Sequence, residues 1–146
     1  MGLTDAIGAG PVALDTAVFI YFIEEHPTYL PLIEPIFLEL DRGGLEAATS
    51  ALTLLEVLVV PFRAGDLRLA ERYEELLTRG RGLRLVELDK AQLRAAAQLR
   101  ALHAVRTPDA LQLVAALSIR CTAFVTNDRK ISDLPGLRVL QLADHA

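Results

Sequence analysis

The sequence predicts an α/β fold, with a central parallel sheet of about five strands and helices on both of its faces. Three observations lead there. Short β-branched or aliphatic runs of strand length recur five times along the chain. The segments between the first four runs are long and carry helical periodicity or strong helix formers. Connections of that length suit right-handed crossovers between parallel neighbours, whereas antiparallel neighbours need only a tight turn.

In chain order, residues 1–10 read as a flexible leader, glycine-rich through Ile7-Gly-Ala-Gly10. Pro11 to Asp15 is the first strand, and Asp15-Thr16 leads into a helix over Thr16 to Glu25, with Asp15 suited to cap its free backbone N–H groups. Pro27 separates this helix from a second, Thr28 to Arg42, which Gly43-Gly44 closes. Glu46 to Thr49 is the second strand. Ser50 to Ala64 and Asp66 to Arg79 form the next helix pair, divided by Gly65 and ended by Gly80 and Gly82. Leu83 to Glu87 is the third strand. Helices over Lys90 to Val105 and Pro108 to Arg120 follow, parted at Arg106-Thr107-Pro108, where Thr then Pro has the form of an N-cap before a first-turn proline. Thr122 to Thr126 and Leu137 to Leu142 complete the sheet. No repeat or linker interrupts the pattern, so residues 1–146 are expected to form a single domain.

Composition narrows the function classes. With 52% hydrophobic residues and a mean hydropathy of +0.33, the chain can bury a sizeable core. The longest apolar run, around Ala51 to Phe62, is shorter than the roughly 20 residues a bilayer demands and carries a charge. The first residues lack the basic start and apolar stretch of a signal peptide, so the expected location is the cytoplasm. A lone cysteine, Cys121, excludes an internal disulfide and a thiolate zinc site, and is expected as a small buried apolar side chain. His26, His103 and His145 are not in ligand-spaced pairs; the first two read as ordinary residues near helix ends. A formal charge of −4 speaks against a non-specific nucleic-acid coat. It does not exclude a nuclease, because four carboxylates gathered on divalent cations would leave the rest of the chain neutral.

Ligands of open parallel sheets bind beyond the carboxyl ends of the strands. Asp15 closes the first strand, Asp128 follows the fourth, and Glu56 and Asp109 sit in the early turns of helices that can run past the same edge. Singly, three have local explanations: Asp15 as an N-cap, Asp109 as an acid favoured by a helix dipole, Asp128 as a turn residue. Glu56 lies in an apolar run with no helical partner charge, although Thr49, Thr53 and Arg63 share its stripe and an exposed polar face would also account for it. Together the four suggest a cluster. Packed carboxylates repel one another unless a cation is present, and an all-oxygen ligand set suits Mg²⁺ or Mn²⁺ rather than zinc.

These acids sit within four motifs: Leu14-Asp-Thr-Ala-Val-Phe-Ile20, Thr49-Ser-Ala-Leu-Thr-Leu-Leu-Glu56, Thr107-Pro-Asp-Ala-Leu-Gln-Leu-Val-Ala-Ala116 and Phe124-Val-Thr-Asn-Asp-Arg-Lys-Ile131. In this order they resemble a PIN-domain ribonuclease of the VapC toxin kind, over nearly the whole chain from Val12 to Leu142. The resemblance implies a three-layer α/β/α fold. It also implies that Asp15, Glu56, Asp109 and Asp128 are the catalytic metal ligands, with Thr16, Thr126 and Asn127 as polar residues orienting them. Hydrolysis of RNA to a 5′-phosphate and a 3′-hydroxyl, homodimerisation and inhibition by a cognate antitoxin are further expectations of the resemblance. The chain has Ile131 where the family often carries an aromatic residue three places after the last acid.

Arg129 and Lys130, beside Asp128, are the nearest cations for backbone phosphates, or else a solvated surface turn. Phe19, Phe22 and Ile23 with Leu30 and Leu32 could supply a dimer face, or else belong to the core. The main rival function is a catalytically silent PIN-like module that binds RNA or protein. A signalling receiver domain would want a lysine after its last strand, and an aspartate-nucleophile phosphatase a second aspartate at position 17, which is Ala17.

Overall fold

In the computed structural model, which describes residues 2–146, five strands form one fully parallel sheet. They are β1 (Val12–Leu14), β2 (Ala47–Ser50), β3 (Leu83–Val86), β4 (Ala123–Thr126) and β5 (Arg138–Gln141), in the order β3-β2-β1-β4-β5. The first three crossovers each carry two helices: α2 (Thr16–Ile23) with α3 (Leu30–Arg42), α4 (Leu52–Ala64) with α5 (Leu67–Arg79), and α6 (Lys90–Leu102) with α7 (Thr107–Ser118). The result is a three-layer α/β/α arrangement. Among the described residues, no helix is long and apolar enough to cross a membrane.

Alternation along β1 divides the core between the layers. Val12 and Leu14 face the layer holding Val18, Phe19, Ile36 and Tyr73, while Ala13 faces Leu113 and Ala116 of α7. With both faces covered, all residues of β1, β2 and β4 are buried, which explains why these runs show no polar alternation in sequence. The chain winds from β1 through β2 to β3 on one side, then returns to place β4 on the other side of β1. That reversal places the switch point of the sheet at the carboxyl ends of β1 and β4, where Asp15 and Thr126 lie.

Several boundaries differ from expectation. The residues ahead of β1 are not a free arm: α1 (Leu3–Ile7) buries Leu3 and Ile7, and Arg138 donates to the carbonyls of Ala6 and Ile7 at 2.8 and 3.3 Å. Ser50 stays in the sheet, paired beside Val86, and its hydroxyl accepts from Leu52 N at 3.1 Å, so α4 begins two residues late. The helix α6 ends at Leu102, and Arg100 bonds the Val105 carbonyl and the Thr107 hydroxyl across the link to α7. His26 lies near helix ends, between α2 and α3, where its Nδ1 accepts from Thr28 N and Tyr29 N and orders the turn before α3. Gly43 and Gly65 close α3 and α4 with φ of +80° and +70°, the left-handed conformation that favours glycine.

Cys121 is buried as expected, and burial pushes its thiol pKa up to about 11. Of the early-helix apolar residues, Phe19 and Ile23 belong to the core at 0% and 8% exposed, whereas Phe22, Leu30 and Leu32 are half-buried. An exposed apolar face lies on α4, where Leu55, Val59 and Phe62 share one side of the helix and are 62, 41 and 53% accessible.

Candidate functional site

Asp15 caps α2 and bonds across to the end of β4 at the same time. Its Oδ1 accepts from Thr16 N at 2.8 Å, and its Oδ2 accepts from the Thr126 hydroxyl at 2.7 Å. Capping therefore occupies one oxygen only. Burial pushes the Asp15 carboxyl above its ordinary range, the Thr126 and Thr16 donors pull it back, and the negative charges of Asp109 and Glu56 push it up again. Those two acids therefore face Asp15 closely enough to be felt there.

Glu56, in the second turn of α4, is exposed but directed: its Oε1 accepts from the Thr16 hydroxyl at 2.7 Å. Helical phase places Thr53 one turn earlier on this side, fully buried, bonded to Thr49 at 2.7 Å and Thr16 at 3.2 Å. Only part of the apolar run anchors the helix. Val57 is buried, whereas Leu55, Val59 and Val60 face outward.

Asp109 lies in the first turn of α7, only 8% exposed, and its Oδ2 accepts from Arg106 Nε at 3.2 Å. Arg106 Nη2 stands 3.6 Å from Asp128 Oδ2, so one guanidinium spans both acids. Asp128 also makes the local turn bond expected of such a residue, accepting from Lys130 N at 2.9 Å, while its own N–H donates to the Thr126 hydroxyl at 3.1 Å. The four acids thus form one linked edge, from Glu56 through Thr16, Asp15 and Thr126 to Asp128, with Arg106 joining Asp109. Among the described residues, no three such groups converge to ligating distance of a single point.

The PIN domain family matches this chain over residues 12–137. The chain belongs to the PIN domain family. A search of the curated proteins returned no match. Solved structures of the same fold include VapBC2 from Rickettsia felis bound to a DNA fragment from its promoter, with a TM-score of 0.65 and 18% identity over 89% of this chain and 97% of that one. A toxin–antitoxin complex from Klebsiella pneumoniae has the same TM-score and identity, over 86% of this chain and 94% of that one.

In this PIN domain, two functional candidates escaped the sequence reading. Arg106 was hidden in a helix break, although an arginine three residues before an acid is within ion-pair reach on a first turn. Gln112, three residues after Asp109, is buried and carries a network: its Nε2 donates to Thr53 at 2.7 Å and Thr16 at 3.4 Å, and its Oε1 accepts from Ser50 N at 3.1 Å and Thr49 at 3.3 Å. This amide ties α7, α4, α2 and β2 together behind the acids of the PIN domain. Two expected side chains turn elsewhere. Asn127 Nδ2 donates to the Tyr21 hydroxyl at 3.2 Å, and Arg129 makes a two-armed pair with Asp144 at 2.5 and 3.1 Å. Lys130 is exposed and makes no ion pair among the described residues. Ile131 is buried in a cluster with Leu113 and Leu137.

Proposed function

We propose that this PIN domain is a Mg²⁺- or Mn²⁺-dependent endoribonuclease and the toxin of a toxin–antitoxin pair. The observation that carries the reading is the position of the Asp15 carboxylate at the switch point of the sheet, under the negative charges of Asp109 and Glu56. Asp15, Glu56, Asp109 and Asp128 would hold the cation. The donor set fits in type: these side chains offer carboxylate and hydroxyl oxygens, and no cationic side chain is among the groups that shift Asp15, while Arg106 pairs with Asp109 and Asp128 at the far end of the edge. A divalent cation bound there supplies Lewis acidity and a water of lowered pKa for phosphodiester hydrolysis.

The remaining work falls to the chain. Thr126 and Thr16 aim the carboxylates of Asp15 and Glu56, and Gln112 fixes Thr16 from behind. Arg106 holds Asp109 and Asp128 and presents free N–H groups for a phosphate. Lys130 is the better phosphate contact of the two sequence candidates, since Arg129 is engaged with Asp144.

Both structural neighbours are toxin–antitoxin proteins, which supports a cognate antitoxin as partner. The exposed α4 face of Leu55, Val59 and Phe62 supports homodimerisation there. The rival reading, a catalytically silent PIN-like binding module, draws on Arg106 lying across Asp109 and Asp128. Cleavage of single-stranded RNA in Mg²⁺ or Mn²⁺, lost in EDTA and in Asp15→Asn, supports the nuclease. Cleavage that persists unchanged in Asp15→Asn overturns the assigned site.

A further inference from the structure

We propose that Tyr21, His26 and Tyr29 form a stacking platform for one unpaired RNA base, beside the acidic edge. The proposal rests on the nuclease reading for its substrate but on separate residues for its geometry.

The three rings meet where α2 turns into α3. Tyr29 stacks on Tyr21 and on His26 with ring centres 4.9 Å apart and planes 29° from parallel in each case, and Tyr21 lies 4.8 Å from His26. All three are half-buried, so each keeps part of its surface accessible. A ring trio serving only the core would be covered, as Phe19 and Phe124 are. The chain has no tryptophan and three tyrosines. The third, Tyr73, is buried and bonded to Glu24, so every accessible tyrosine among the described residues gathers at this one place.

The platform is held rigid and is tied to the site. His26 Nδ1 accepts from Thr28 N at 3.1 Å and Tyr29 N at 3.3 Å, which fixes the imidazole and sets the backbone carrying Tyr29. The Tyr21 hydroxyl accepts from Asn127 Nδ2 at 3.2 Å. Asn127 stands between Thr126, which bonds Asp15, and Asp128, so the ring trio is one residue removed from two of the acids. Rigid aromatic rings are what single-stranded RNA recognition uses, because every unstacked base offers a π-face while a paired base does not. The side chain of Asn127, which turns away from the acids, acquires a purpose here: it registers the platform to the cleavage edge.

The test uses Tyr29→Trp, whose indole is the only one in the chain. It is titrated in EDTA with a fluorescein-labelled single-stranded oligo(A) of about 12 nucleotides, and with a fully paired RNA duplex. Binding is read independently by anisotropy of the label. The expected result is saturable quenching of the indole by the single strand, little by the duplex, and binding to Tyr29→Leu weakened about 10-fold or more with the unfolding temperature monitored alongside. Indole emission unmoved at saturation overturns the platform, and so does native-like affinity of Tyr29→Leu or absence of binding to the native chain. If Tyr29→Leu fails to fold, the indole signal decides alone. Cleavage is measured separately in Mg²⁺. Quenching without cleavage sinks the nuclease reading and leaves the platform, whereas cleavage without quenching does the reverse.

Discussion

The Thr126 hydroxyl at the end of β4 donates to the Asp15 carboxylate at the end of β1, 2.7 Å away across the switch point. The same hydroxyl oxygen accepts from Asp128 N at 3.1 Å, so one buried threonine sets two acids of the edge. Thr126→Val keeps the shape and removes both bonds. Because the donor favours the charged form of Asp15, its loss moves that pKa further up, and the acid limb of the pH–rate profile should move to higher pH with activity down roughly 10- to 100-fold at neutrality. An unchanged profile would remove Thr126 from the mechanism.

The raised Asp15 pKa has a consequence for stability. A carboxyl raised above its unfolded value contributes stability below that unfolded value and loses it as pH rises through the folded value. At pH 7 in EDTA, the native chain therefore carries a disfavoured charge. Asp15→Asn should melt a few degrees higher there, roughly 2–4 °C, with the gain gone in acid where Asp15 is itself protonated. Added Mg²⁺ should raise the melting temperature of the native chain and not of the variant. Calorimetry at two pH values checks both, and a variant that melts lower at pH 7 contradicts the burial argument.

Arg106 spans Asp109 and Asp128, and the buried member is Asp109. Arg106→Ala leaves two acids without their counter-charge. The metal-free melting temperature should fall by a degree or two, since the guanidinium is mostly exposed, and the increase produced by Mg²⁺ should exceed that of the native chain. Thermal shifts across a Mg²⁺ series decide it; an equal increase in both chains would mean that Arg106 does not oppose the cation's charge.

Gln112→Leu replaces the amide that satisfies Ser50 N, Thr53 and Thr49 behind the site. Stranding buried polar groups costs about 1–3 kcal/mol, so urea unfolding should show a loss of that order. A much smaller loss would mean that the threonines satisfy one another without Gln112.

Leu55, Val59 and Phe62 lie exposed on α4. The double variant Leu55→Glu, Phe62→Glu should be monomeric by light scattering under conditions where the native chain is dimeric, with little change in melting temperature because both side chains are solvent-facing. A native chain that is monomeric throughout removes this face from the dimer proposal.

How much was legible follows from the range of each interaction. The five strands and six longer helices could be read because β-branched runs, helical spacing and glycine stops act within a few residues. The boundaries that moved did so through tertiary bonds: Ser50 was drawn into the sheet by Val86, and α6 was stopped short where Arg100 engages Val105 and Thr107. The leader was misread because Leu3 and Ile7 reveal their apolar purpose only against a core assembled later in the chain. At the site, the acids were visible because carboxylates stand out in apolar runs. Arg106 and Gln112 were not, since an arginine in a helix break and a glutamine in a helix look like ordinary surface residues until their partners arrive.

By itself, the sequence determined the alternation of strands and helices, the family motifs, and the fact that Asp15, Glu56, Asp109 and Asp128 flank the carboxyl edge. Those properties are local, written in side-chain type and spacing. Tertiary structure alone decided that β4 lies beside β1, which brings Thr126 to Asp15 across 111 positions of chain. It also decided that Asn127 turns to Tyr21, that Arg129 is taken by Asp144, and that, of the apolar flanks of Glu56, Val57 is buried while Leu55 faces outward. Hydrogen bonds and charges act over a few ångströms whatever the separation along the chain, so only the folded arrangement could select these partners.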